Sequence, residues 1–291
     1  MQPIVLDAPA RAVALPLPAY PTIKESWGIL GWYLLATMVV GVPCFLVLEK
    51  LLLLSRTISS LVLIGVLNVA VLGFLRWKAA KRWQPLTLMG KEQGWLYAAL
   101  PVLVLALATV LSVQRYLHLP NIHAALFTNI AKLPGLGLVM IVMIGPVLEE
   151  LLFRGVVLQG LLRSQRPWVA IGQSALLFGI IHFNPAQSVN AFFLGLVFGW
   201  LYYRTRSLVL CMATHGLYNA LGFAEMWAAA SSRTPEPSFL STSPGPYAGM
   251  VLLSALIVAG TLWRVHQTTE PTSATAVEPA DTADAEAVEL G

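Results

Sequence analysis

Between residues 27 and 265 the chain is a succession of apolar blocks, most of them close to the roughly 20 residues that carry a helix across the hydrocarbon core of a bilayer. In lipid every backbone polar group must be satisfied internally, so blocks of this length admit helices and little else. Eight are read, at 27–48, 58–77, 94–113, 134–162, 168–183, 188–203, 207–223 and 247–265. Composition agrees with that count: 57% of the 291 residues are hydrophobic and 11% are charged. The expected class is an all-α polytopic membrane protein of about eight transmembrane helices. The fifth, sixth and seventh blocks are short for lipid-exposed spans, which implies shelter by the other helices.

The flanks differ from the blocks. Residues 1–26 are rich in Pro and Ala and are read as a flexible arm. Pro3, Pro9, Pro16, Pro18 and Pro21 interrupt any signal-peptide pattern, so the first block is expected to stay in the mature protein. Residues 267–291 lack a periodic apolar face and are read as a disordered acidic tail. The transmembrane domain is then 27–266. With the N-terminus inside, the inner segments hold Arg11, Lys24, Arg76, Lys78, Lys81, Arg82, Lys91, Arg163, Arg166, Arg204, Arg206 and Arg264. The outer ones hold Lys50, Arg56, Arg115, Lys132 and Arg233. That bias places both termini in the cytoplasm, in a plasma (inner) membrane. The formal charge of +4 is small and spread between the blocks, which argues against nucleic acid as a partner. Cys44 and Cys211 lie within apolar blocks and suggest neither a disulfide framework nor a thiolate metal site.

Against this background the run from Gly145 to Gly155 is anomalous, because it sets Glu149, Glu150 and Arg154 inside the fourth block. An ionised side chain at the bilayer centre costs roughly 2.5–3.5 kcal/mol on insertion scales, so such residues face a protein interior, pair, and mark function. On a helix Glu150 and Arg154 are four residues apart and can pair. Glu149 points about 100° away and is free to act on something else. A purely structural charge network is the competing reading of these three residues alone.

Two later blocks shift the balance. The fifth ends in Phe178-Gly179-Ile180-Ile181-His182-Phe183-Asn184-Pro185, and the seventh contains His215-Gly216-Leu217-Tyr218-Asn219, with His215 and Asn219 on one helix face. At about 1.5 Å per residue, Glu149 is roughly 22 Å from the outer start of its helix, while His182 and His215 are roughly 21 and 12 Å from inner starts. All three can therefore meet at middle to cytoplasmic depth. A carboxylate and an imidazole flanking one water form a general base pair, and a second imidazole with an amide can stabilise an oxyanion. Glu149, His182 and His215 equally suit a zinc site with water in the fourth position. Both arrangements hydrolyse a peptide bond.

The ordered set Glu149-Glu150-x-x-x-Arg154, Phe178-x-x-x-His182 and His215-x-x-x-Asn219 resembles the three motifs of the CAAX protease and bacteriocin-processing (CPBP, or Abi) family of intramembrane proteases, over a core of about 134–224. The resemblance implies eight helices around a membrane-embedded catalytic cavity open to the cytoplasm, and endopeptidase activity on a membrane-anchored protein or peptide. Eukaryotic members of that family remove the last three residues of prenylated CAAX proteins. By that similarity Glu149 and His182 activate water, His215 and Asn219 stabilise the oxyanion, and Glu150 with Arg154 supports the site. Members are usually called metalloproteases, which keeps zinc as an alternative cofactor. Two other functions stay open: a non-catalytic binding, scaffold or immunity protein on the same fold, and a proton-coupled transporter. The transporter predicts inverted repeats, and none is visible in the sequence.

Overall fold

The computed structural model describes residues 19–90, 92–231 and 244–270. Residues 1–18 of the expected arm and 271–291 of the expected tail lie outside them. All eight apolar blocks are helical: α1 (Ile23–Leu51), α2 (Arg56–Arg82), α3 (Gly94–Leu117), α5 (Pro134–Leu161), α6 (Pro167–Ile180), α7 (Pro185–Thr205), α8 (Leu208–Ser231) and α9 (Pro244–Thr268). A short helix, α4 (Ala124–Ala131), precedes α5. Among the described residues there is no strand, and the molecule is an all-α polytopic membrane protein.

Five helices, α1, α2, α3, α5 and α9, are long and apolar enough to span a bilayer, and α6 is a shorter apolar helix. Helices α7 and α8 have the length, at 21 and 24 residues, but are not among those five. These three are the blocks whose shortness implied shelter. They supply the centre of the bundle: Leu152, Leu158 and Leu161 of α5 are buried with Ile171 and Phe178 of α6, Leu201 and Tyr202 of α7, and Leu208 and Cys211 of α8. Helices α1 and α9 are peripheral, with little of either buried by protein.

Helices α6 and α7 form the tightest antiparallel pair. A Cβ on Gly195 would stand 2.9 Å from Ala175 Cα, so the Gly195-x-x-x-Gly199 spacing does what small residues do between membrane helices. The first helix begins earlier than expected, at Ile23, because Thr22 and Glu25 form a reciprocal capping box. Residues 19–26 are thus structured and not part of a flexible arm. Glu25 is bound in turn by Arg82 at 2.8 Å, which ties the start of α1 to the end of α2.

The connection between α2 and α3 closes the N-terminal end of α8. A helix start leaves N–H groups without intrahelical partners. Here Val209 N–H donates to Leu88 O at 3.0 Å, Leu210 N–H to Ser207 Oγ at 3.1 Å, and Ser207 Oγ to Glu92 Oε1 at 2.8 Å. Burial acts to raise the Glu92 carboxyl, but hydrogen bonds from its own backbone, Ser207, Gly90 and Tyr97 prevail and hold it below the usual carboxylate range. A depressed folded value stabilises above the ordinary unfolded value of about 4.3, and this contribution disappears as pH falls through the folded value. Glu92→Gln is expected to lower stability at pH 7 by roughly 1 kcal/mol or less, given the carboxylate's partial exposure. The gap from wild type should close below about pH 4; unfolding monitored by circular dichroism across pH measures it.

Candidate active site

The site forms where α5, α6, α7 and α8 meet. In α5 the turns widen over Leu138–Ile144, so that Gly145 N–H reaches back five residues to Met140 O. In that register the next pair would be residues 146 and 141, but Pro146 has no N–H to give. The Ile141 carbonyl is therefore left without this backbone donor, and Asn219 Nδ2 donates to it at 3.0 Å from α8. Close approach at this level requires Gly216, since a Cβ there would lie 2.9 Å from Val142 O. Proline in one helix and glycine in the other thus set the depth at which the α8 motif faces the α5 motif.

One helical turn further along α5, Glu150 and Arg154 are fully buried and pair at 2.8 Å, as their spacing predicts. The pair is not closed on itself. Glu150 Oε1 also lies 2.8 Å from His215 Nδ1, and because a carboxylate only accepts, the hydrogen is on Nδ1. Arg154 Nη2 donates to Gly195 O at 3.3 Å. The guanidinium lies over the Phe178 and Phe198 rings at 4.7 and 5.3 Å, and the same rings flank His215 at 5.7 and 5.5 Å. The charges are thereby enclosed by aromatic faces, which favour cations.

Glu149 differs from its neighbour. Its side chain retains 23% of its exposure, and its Oε2 is 3.8 Å from His215 Nε2. That separation suits one water held by both atoms better than a direct hydrogen bond. Tyr33 of α1 lies within electrostatic range of Glu149, and Asn68 of α2 donates to Ile64 O at 2.9 Å. His182 is also within electrostatic range of Glu149 and His215. It falls beyond α6, which ends at Ile180, and so sits in a turn rather than inside the span expected at 168–183. The chain reverses there through Phe183, in the left-handed region at φ 48°, just before the proline that opens α7. His182 Nδ1 is 2.7 Å from Phe178 O. A carbonyl only accepts, so Nδ1 carries the hydrogen and Nε2 presents a lone pair. Asn184 anchors the turn by accepting from Ile122 N–H at 3.1 Å and donating to Asn121 Oδ1 at 3.0 Å.

Five of the six residues picked out by the motifs therefore lie on helices that converge here and His182 lies in the turn between α6 and α7; Glu149, Glu150, Arg154 and His215 are in direct or near contact. Asn219 spends one amide N–H on Ile141 O and retains the other. Zinc needs three protein ligands aimed at one point. Among the described residues no group of three His, Cys, Asp or Glu side chains is so arranged; His215, with Nδ1 held by Glu150, keeps Nε2 3.8 Å from Glu149. Phe198, the Gly195 carbonyl and Tyr33 are additions to the site; each acts across helices, where spacing within one block gives no signal.

With this geometry in view, residues 131–221 match the family model described as type II CAAX prenyl endopeptidase, Rce1-like. The match covers the motif-bearing core, about a third of the chain. Neither a curated protein nor a solved structure matches the chain. The Rce1-like segment opens in α4, takes in α5 to α7, and ends in α8 two residues beyond Asn219. It contains every residue of the charge cluster and both histidines, while α1 to α3 and α9 lie outside it.

The Arg154 environment generates a stability prediction. Removing one member of a buried pair leaves the other charge uncompensated, at a cost of about 3–5 kcal/mol. Arg154→Ala should therefore unfold or melt far below wild type in detergent, whereas Tyr33→Phe, which removes a single neutral hydroxyl, should cost about 1 kcal/mol. Thermal unfolding of the purified variants checks both.

Proposed function

We propose that this protein is an intramembrane endopeptidase that hydrolyses a peptide bond of a membrane-associated protein or peptide with water activated by Glu149. The reading is carried by the unequal use of two adjacent carboxylates within the Rce1-like segment. Glu150 is committed to Arg154 and His215, while Glu149 remains part-exposed, 3.8 Å from the His215 imidazole and within electrostatic range of His182.

In this scheme Glu149 takes a proton from the water as its oxygen attacks the carbonyl carbon, with the His182 Nε2 lone pair as the second acceptor. The carbonyl oxygen becomes an oxyanion. It receives hydrogen bonds from His215, when Nε2 also carries hydrogen, and from the remaining Asn219 N–H. Collapse of the tetrahedral intermediate breaks the C–N bond, and the proton held by Glu149 passes to the leaving amine. Glu150 fixes the His215 ring through Nδ1, and Arg154 makes the Glu150 charge tolerable in an apolar interior. No step passes through a metal. The inner-face basic residues favour cytoplasmic termini in the plasma (inner) membrane, with the substrate reaching the site from the bilayer or its cytoplasmic face.

The test is cleavage of a membrane-anchored peptide by protein reconstituted in lipid, run with and without a chelator. Glu149→Gln and His182→Ala are expected to lose at least about 10²-fold in rate, and His215→Ala about 10²–10³-fold, with helical content retained. Undiminished cleavage by both Glu149→Gln and His182→Ala would overturn the assignment. Loss of cleavage on chelation, restored by zinc, would overturn the metal-free scheme while leaving the endopeptidase.

A further inference from the structure

A second cavity, of 320 Å³, opens between α3, α7 and α8, one turn along α8 from His215. It lies within the size range of small-molecule sites, and its makeup is uneven. Leu105 and Leu221 contribute apolar wall, while Gln114, Asn190, Tyr218 and Glu225 bring polar groups. Asn190 and Tyr218 satisfy one another, with Asn190 Nδ2 donating to Tyr218 Oη at 2.9 Å and Tyr218 donating back to Asn190 Oδ1 at 3.2 Å. The other two differ. Among the described residues Gln114 Oε1 is buried with no hydrogen-bond partner, while Glu225 is solvent-exposed and forms no ion pair. No Lys, Arg or His is among the lining residues.

A buried oxygen without a donor costs about 1–3 kcal/mol, and a carboxylate at an apolar cavity attracts a cation. The unfilled needs are thus hydrogen-bond donors, positive charge and apolar surface, together in one small volume. We propose that the cavity binds a primary ammonium carried on a short apolar body, its N–H groups directed to Glu225 and Gln114 Oε1 and its carbon chain against Leu105 and Leu221. Two sources have this chemistry: a soluble alkylamine, and the ammonium headgroup of an aminophospholipid. The proposal does not depend on the hydrolytic reading of the neighbouring site.

The full chain in detergent is titrated with hexylammonium, hexanol and hexanoate while its thermal unfolding is followed. Hexylammonium should raise the melting temperature saturably, and hexanol and hexanoate should not. Glu225→Gln should weaken the apparent affinity about tenfold, the scale of a lost charged hydrogen bond. Gly222→Leu supplies a second variant: an added Cβ there meets nothing within 4 Å, so the side chain has room to grow into the cavity, and leucine favours helix over glycine. It should abolish the saturable effect. Nanodiscs of phosphatidylcholine with and without phosphatidylethanolamine distinguish the sources, since a headgroup already in place would suppress the hexylammonium shift. Equal stabilisation of wild type by hexylammonium and hexanol would overturn the proposal, as would a hexylammonium effect unchanged in both variants.

Discussion

A carboxylate and a guanidinium, both with essentially no solvent contact, meet at 2.8 Å inside a helical bundle built for lipid, and the site depends on how that pair is made tolerable. Desolvating two charges costs several kcal/mol per ion, and only good geometry with further hydrogen bonds returns it. Three other helices supply partners, hydrogen bonds from the His215 ring of α8 and to the Gly195 carbonyl of α7 and aromatic faces from Phe178 of α6 and Phe198 of α7. Glu150 Oε2 and Arg154 Nε have no hydrogen-bond partner among the described residues. Packing and electrostatics are therefore one problem here. The close α6–α7 contact that Gly195 permits also delivers a carbonyl to Arg154.

The same economy links backbone to site. Pro146 and Gly216 are ordinary helix-disfavouring residues in a list of composition. In the folded chain the first leaves a carbonyl for Asn219 to occupy, and the second lets α8 come close enough to do so. The loop around Glu92 holds the N-terminus of α8, so the helix bearing His215 and Asn219 is held at its first turn and at its middle. A rigid second carboxylate, Glu150, then presents His215 toward the more accessible first one.

Much of this was legible in the sequence. The eight helices follow from block length, and the Glu150–Arg154 pair from a four-residue spacing. The separate fate of Glu149 follows from a rotation of one residue about the helix. What was not legible depends on tertiary contact. The start of α1 moved to Ile23 because Thr22 and Glu25 cap each other, a local signal lying in a Pro-rich stretch that reads as an arm. His182 fell outside its helix because Phe183 takes a left-handed conformation before Asn184-Pro185. The bond from His215 to Glu150 joins residues 65 apart, and no spacing rule reports it.

The central claim is that two adjacent carboxylates in one membrane helix have unlike duties, Glu150 holding the structure and Glu149 remaining available for chemistry. Thermal unfolding of Glu149→Gln and Glu150→Gln, prepared side by side in the same detergent, tests it most directly. Neutralising Glu150 leaves Arg154 buried without its counter-ion, so that variant should lose about 3–5 kcal/mol, while Glu149→Gln should stay within about 1 kcal/mol of wild type. Equal losses in the two variants, or a larger loss in Glu149→Gln, would contradict the division.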